Sequence, residues 1–285
     1  MKIIHSVEEM LRVAHTCRAG GKHCSFVPTM GALHEGHMSL LTLARERADL
    51  TVMSVFVNPA QFGPKEDFSR YPRPFDADCE RAQRAGCDIM FAPAADEMYP
   101  LHFQTTVAVG DITTRLCGAS RPGHFAGVTT VVCKLFNIVR PDSAVFGAKD
   151  AQQVIVIKRM VKDLHIPVEI IVGPIVREQD GLAMSSRNVH LTVEERAAAP
   201  IIHQGLEKAR LLFDAGERRA AVFHDAIGSL YSGSPLILPE YIEIADPETL
   251  KPLTQTGSSA LVAVACRMRD SQTRLIDNTV LGEPL

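Results

Sequence analysis

The chain has 285 residues, 46% of them hydrophobic, enough for one large or two modest domains with a sizeable core. Its 30 Lys and Arg against 33 Asp and Glu leave a net charge of −3 with no basic stripe, so nucleic acid is not an expected partner. No apolar stretch reaches membrane-spanning length, no signal-peptide core opens the chain, and the 7 cysteines never form a Cys-x-x-Cys pair; a cytoplasmic protein with reduced, mostly buried thiols is expected.

In chain order, strands are expected over 25–27, 51–57, 89–91, 144–146 and 168–172. Amphipathic helices are expected between them, over 39–48, 76–85, 128–139 and 151–164. This alternation specifies an α/β domain over 1–176, with a mostly parallel sheet and helices on both faces. Ligands of such sheets lie beyond the carboxyl ends of the strands. After Val176 the character changes. Residues 177–189 are polar and loop-like. A capping box at Thr192 and Glu195 starts a helix running toward Ala215, and a second follows over 220–230. Strands over 241–245, 261–268 and 274–280 complete a smaller α+β domain over 177–285.

The most informative stretch is PTMGALHEGH (28–37), a strand end, a Gly-containing turn and a helix start. Spaced three apart, His34 and His37 face one side of the opening helical turn. Free N–H groups at a helix start favour phosphate, and neutral imidazoles can donate to its oxygens as charge builds. Gly31 and Gly36 allow close approach of backbone and nucleotide. Spacing alone leaves adenylyl transfer and other nucleotide chemistry open.

Three further clusters stand at turns. In Met184-Ser185-Ser186-Arg187-Asn188, two hydroxyls and a guanidinium suit a mobile phosphate clamp, with Asp180-Gly181 as a hinge; a plain polar loop is the alternative. In Gly147-Ala148-Lys149-Asp150, Lys149 can neutralise charge between a reacting phosphate and a carboxylate, and Gln153 lies one turn into the next helix; an N-cap Asp and a solvated Lys are the alternative. In Asn58-Pro59-Ala60-Gln61, turn chemistry explains Asn and Pro, whereas the Gln61 amide suits a hydroxy-acid substrate. Asp76 and Asp78 read as first-turn carboxylates on a solvated helix, with placement of a hydrated Mg²⁺ as the other use.

Taken together, the blocks PTMGALHEGH (28–37), VNPAQFGPKEDFSRYPR (57–73), RPGHFAGV (121–128), FGAKDAQQ (146–153) and GLAMSSRN (181–188) resemble, in order and almost end to end, the pantoate–β-alanine ligases. That family lies in the class-I synthetase-like nucleotidyltransferase group, whose HIGH and KMSKS elements the His-Glu-Gly-His and Met-Ser-Ser-Arg segments resemble. The resemblance implies a Rossmann-like ATP domain, a C-terminal lid domain, commonly a dimer, and ATP with Mg²⁺. It also implies a two-step reaction. Pantoate carboxylate attacks the ATP α-phosphorus, releasing pyrophosphate; the β-alanine amine then attacks the acyl carbon of pantoyl-adenylate, releasing AMP.

The resemblance assigns catalysis to His37, His34 and Lys149. It assigns ATP to the run Met30, Gly31, Ala32, Leu33, His34, Glu35, Gly36 and His37, to Gly147, Ala148, Lys149, Asp150 and Val176, and to Met184, Ser185, Ser186 and Arg187. Gln61 and Gln153 would bind the pantoate hydroxyls, with Asn58 in support, and Met30, Val131, Val132 and Leu135 would face its gem-dimethyl group. Metal ligands stay unassigned. Ala148 stands where many members carry Glu, Ala151 where many carry an aromatic, and Ala60 in place of a frequent Thr, which bears on packing near adenine. The remaining readings are another nucleotidyltransferase with a phosphorylated acceptor, for which extra Arg or Lys near Gln61 would be expected, and a non-catalytic nucleotide sensor. A tRNA-charging enzyme would need an anticodon-binding module and a basic face.

Overall fold

A computed structural model describes residues 1–64 and 66–283. Lys65, inside the 57–73 block, and Pro284 and Leu285, at the end of the expected second domain, lie outside the described residues. The chain divides into two compact units. The first comprises Met1–Gly110, Arg121–Ala148 and Val156–Pro174; the second comprises Asp111–Ser120, Lys149–Ile155 and Ile175–Leu285.

Among the described residues, the chain runs β1 (Lys2–Ile4), α1 (Val7–Ala19), β2 (Cys24–Thr29), α2 (Glu35–Arg45), β3 (Leu50–Val55), α3 (Phe75–Arg84), β4 (Ile89–Phe91), α4 (Ala95–Met98), α5 (Cys117–Ser120), α6 (His124–Val139), β5 (Ser143–Gly147), α7 (Ala151–Asp163) and β6 (Glu169–Gly173). The second part continues with α8 (Val193–Ala198), α9 (Ile201–Asp214), α10 (Ala220–Ser232), β7 (Ile237–Ala245), β8 (Ser259–Met268) and β9 (Arg274–Gly282).

The first unit carries a six-stranded sheet in the order β1-β4-β3-β2-β5-β6, every neighbouring pair parallel. Strand alternation puts helices on both faces. Val27, Met53, Met90 and Val145 pack in one cluster with Leu40, Leu41 and Ala44 of α2. Phe146, next to Val145 and so on the opposite face, meets Phe136 of α6 edge-on, with ring centroids 6.4 Å apart. From β2 the chain proceeds outward through β3 and β4, whereas β5 and β6 extend the sheet the other way. The topological switch point therefore lies between the carboxyl ends of β2 and β5, and α2 packs across both strands.

The second unit holds a three-stranded antiparallel sheet, β7-β8-β9, whose buried Val262, Val264 and Cys266 pack with Ile202, Leu206 and Phe213 of α9 and Phe223, Ile227 and Tyr231 of α10. The expected capping box forms at Thr192 and Glu195. Glu195 is fully buried, and its carboxylate also accepts the N–H groups of Asp270 (2.7 Å) and Ser271 (2.9 Å).

Three expectations need correction. The helix started by Thr192 does not run unbroken to Ala215: it ends as α8, and Pro200, which has no N–H to continue the ladder, stands before a new helix, α9. Residues 177–189 are more ordered than a polar loop. Arg177 bridges Ala183 as an antiparallel pair, and Met184 N–H donates to the Val176 carbonyl (3.0 Å). Asp78 is not a solvated first-turn carboxylate; it is 1% exposed. All 7 cysteines are free thiols.

Candidate functional site

At the carboxyl end of β2 the chain makes a strained turn into α2. Gly31 (φ 84°) and Ala32 (φ 51°) both take left-handed backbone conformations. The buried Asp78 carboxylate holds this turn, accepting Ala32 N–H at 2.8 Å and Leu33 N–H at 2.7 Å. Burial raises the Asp78 pKa even though these two N–H groups favour its charged form. A Cβ on Gly31 would come within 2.9 Å of both Asp78 Oδ2 and Val55 Cγ1. The glycine therefore admits Asp78, a packing need distinct from nucleotide approach.

His34 is the N-cap of α2, and with His37 it forms a reciprocal capping box made of imidazoles. Gly36 N–H donates to His34 Nδ1 (3.2 Å), and His34 N–H donates to His37 Nδ1 (3.2 Å). An Nδ1 that accepts carries a lone pair, so the neutral ring bears its proton on Nε2. The ring centroids are 4.1 Å apart. The fold thus supplies two imidazoles in one tautomer at a helix N-terminus beside the switch point, chemistry suited to an anion with developing charge.

Gln61 sits in a 3-10 turn, Pro59–Gln61, after β3. Its main-chain carbonyl is 2.8 Å from His124 Nδ1, and Arg121, paired with both Glu66 oxygens at 2.7 and 2.6 Å, reaches the same carbonyl at 3.4 Å. Burial opposes ionisation of Glu66, but the Arg121 bonds and charge still bring its pKa below the usual carboxylate range. The side chain of Gln61 accepts from Asn58 Nδ2 (3.0 Å) and donates from Nε2 to Met30 Sδ (3.1 Å). Met30 therefore offers a polarisable acceptor as well as apolar surface. Gly127 lets α6 reach this turn: a Cβ there would lie 2.2 Å from the Ala60 carbonyl oxygen. Val131, Val132 and Leu135 of α6 are buried.

In the second unit, Lys149 and Asp150 end the 3-10 turn Ala148–Asp150, which follows Gly147 at the end of β5. Lys149 Nζ is 4.0 Å from Asp150 Oδ2. The Lys149 carbonyl accepts from Asn278 Nδ2 of β9 (2.9 Å). Beside it, Asp277 pairs with Arg177 through contacts of 2.6 and 3.0 Å. The adjacent glutamines of α7 divide their work. Gln152 is buried and holds Ile112 O, Arg115 O and Cys117 N–H, whereas Gln153 is half-buried on the first turn.

Met184, Ser185, Ser186 and Arg187 are half-buried, as is Val176. Ser185 caps the 3-10 turn Ser186–His190 by accepting Arg187 N–H (3.2 Å). Asn188 donates to Glu178 Oε1 (3.0 Å) and the Ala183 carbonyl (3.2 Å). The expected hinge is anchored: Asp180 pairs with Arg196 at 2.5 Å, and the Gly181 carbonyl accepts from Arg177 at 3.1 Å.

Sequence reasoning did not find Asp78 as the loop clamp, Tyr99, Arg121 and His124 around Asn58 and Gln61, or Arg177, Asp277 and Asn278 beside Lys149. RPGHFAGV contains Arg121 and His124, so the block itself was the available signal for them. Among the described residues, no three His, Cys, Asp or Glu side chains group to hold a metal ion. Both Asp78 oxygens are already engaged by backbone N–H groups, which argues against a metal-placing role for it.

A sequence model of the pantoate-beta-alanine ligase family matches residues 2–280. Pantothenate synthetases from Thermoanaerobacter sp. (strain X514) and Geobacter sulfurreducens are each 51% identical over 283 residues, covering 99% of this chain and 99% of theirs. The crystal structure of pantothenate synthetase from Thermus thermophilus superposes with a TM-score of 0.92 at 45% identity, covering 98% of this chain and 99% of that one. The pantoate-beta-alanine ligase from Francisella tularensis, complexed with beta-gamma ATP and beta-alanine, superposes with a TM-score of 0.80 at 31% identity, covering 98% of this chain and 97% of that one. The chain belongs to the pantoate–β-alanine ligase family.

Proposed function

We propose that this chain condenses pantoate with β-alanine, consuming ATP and releasing AMP and pyrophosphate, through a pantoyl-adenylate. One observation carries the chemistry: His34 and His37 both cap the start of α2 through Nδ1, so that Nε2 is the nitrogen with which each ring would donate to a bound phosphate. Adenylation needs no protein nucleophile. It needs an α-phosphate held in line with the attacking carboxylate, and donors that meet the charge spreading over phosphate oxygens.

In this reading His34 and His37 donate to the triphosphate. Lys149 neutralises charge on the α-phosphate and the pantoate carboxylate. The backbone of 30–37, with Gly147, Ala148, Asp150 and Val176, accommodates the nucleotide, and Met184, Ser185, Ser186 and Arg187 grip its phosphates. Gln61 and Gln153 take the pantoate hydroxyls, Asn58 supports Gln61, and Met30, Val131, Val132 and Leu135 face the gem-dimethyl group. Residues 177–285 serve as the lid domain. Mg²⁺ would accompany the ATP phosphates, as such ions commonly do. The working form is a cytoplasmic homodimer.

The test is product analysis with pantoate, β-alanine, ATP and Mg²⁺. Pantothenate and AMP in equal amounts are expected. ADP in place of AMP, or AMP without pantothenate, contradicts the reading.

A further inference from the structure

Asn58 and Gln61 carry amides whose oxygen and nitrogen ends are set by their surroundings. Asn58 is 1% exposed. Its Oδ1 accepts the Ala60 N–H (3.2 Å), a group that can only donate. Its Nδ2 donates to the Gly127 carbonyl (3.1 Å), a group that can only accept. These two contacts set which end of the Asn58 amide is oxygen and which is nitrogen. Two consequences follow at its remaining positions. The Tyr99 hydroxyl, 2.7 Å from Asn58 Oδ1, must be the donor. Gln61, 3.0 Å from Asn58 Nδ2, must present its oxygen there and turn its NH₂ group the other way, where it meets Met30 Sδ.

Tyr99 is built to stay a donor. Its ring lies against Phe56 and Phe103, at centroid distances of 6.3 and 5.2 Å, and Lys134 Nζ stands 5.7 Å over its face. Burial pushes the phenol up to about 12, so it keeps its proton throughout the neutral range.

We propose that Tyr99 is a positioning residue: as the third hydrogen-bond partner of the Asn58 amide it holds Asn58 in place beside Gln61, so that Gln61 keeps its oxygen on Asn58 and offers an N–H donor to the substrate. The proposal rests on the reading that Gln61 binds pantoate. It names the part of the substrate met there: an acceptor oxygen, from a hydroxyl or the carboxylate, with the hydroxyl proton directed elsewhere. An amide free to flip would satisfy either a donor or an acceptor and would discriminate less.

The experiment compares Gln61→Ala, Tyr99→Phe, Asn58→Ala and the Asn58→Ala/Tyr99→Phe double variant. Tyr99→Phe deletes one oxygen and keeps the ring contacts; thermal melting checks that each variant is folded. Gln61→Ala is expected to raise KM for pantoate. Tyr99→Phe is expected to raise it about fivefold, the loss of one hydrogen bond, with KM for ATP unchanged. The double variant is expected to be no worse than Asn58→Ala alone, because both changes cut the same relay. The Gln61 side-chain NH₂ resonances, followed by ¹⁵N NMR without ligand, are expected to shift in Tyr99→Phe.

An unchanged KM for pantoate in Tyr99→Phe, an equal rise for ATP, or multiplying effects in the double variant would overturn the positioning role. No effect of Gln61→Ala on pantoate, with the Gln61 resonances still moving in Tyr99→Phe, would overturn the substrate assignment while leaving the relay itself demonstrated.

Discussion

His34 and His37 cap one helix with the same ring atom: each Nδ1 accepts a backbone N–H of the first turn of α2, and the rings lie 4.1 Å apart. Structure and chemistry are divided between the two nitrogens of each ring, so substitution can separate them. Asparagine keeps a short cap acceptor and lacks the distant donor. His34→Asn should melt near the parent temperature yet lose about a hundredfold in adenylation rate, as removal of a preorganised donor does. His34→Gln should show the reverse balance, with a larger stability loss and more residual activity. Equal effects of both substitutions on stability and rate would argue against this division.

Asp78 closes two backbone N–H groups of the turn before α2. Asp78→Ala leaves the buried Leu33 N–H and the half-buried Ala32 N–H without an acceptor, at a cost of about 2–3 kcal/mol of folding stability. Urea unfolding reads the loss directly, and activity should fall with it because Ala32 and Leu33 lead into His34. A variant as stable as the parent would contradict the clamp.

Gly127 allows α6 to touch the turn that carries Gln61. Gly127→Ala places a methyl 2.2 Å from the Ala60 oxygen, a clash with backbone that no rotamer relieves. We expect about 1–3 kcal/mol of destabilisation and a raised KM for pantoate. Unchanged stability and KM would mean that α6 does not set the position of Gln61.

His203 predicts a pH dependence. Its Nδ1 is buried with no hydrogen-bond partner among the described residues, and burial, then the Arg177 charge, lowers its pKa below 6.5. The unfolded chain binds this proton more readily than the folded one. The contribution to stability is therefore fully present above about pH 6.5 and falls as pH drops through the unfolded value toward the folded one. His203→Gln should flatten the acid limb of the stability profile just below about pH 6.5. Parallel profiles for parent and variant would contradict this.

Much of the fold was legible because buried parallel strands are short apolar runs and their helices are amphipathic. The segment 89–91 was read to the residue as β4. By contrast, β1 is a three-residue strand at the sheet edge, too short for a periodicity. The α1 helix is outside the expected elements although Ser6 caps it and Met10, Ala14 and Cys17 mark a buried stripe. At the candidate site, what lay in a contiguous motif was legible: His34 and His37 are local. Pairings made across the chain were not. Tyr99 lies 41 residues from Asn58, and Arg177 lies 100 from Asp277. Asp78 misled because its spacing is that of a solvated first turn, whereas the oxygens face a turn 45 residues away.

Adenylation of pantoate at this site should need no amine to begin. Pantoate-dependent exchange of labelled pyrophosphate into ATP, with Mg²⁺ and without β-alanine, tests it most directly. Exchange is expected in the parent, none without pantoate, and a rate reduced about a hundredfold or more in Lys149→Ala. No exchange in the parent, together with no pantothenate once β-alanine is added, would contradict it.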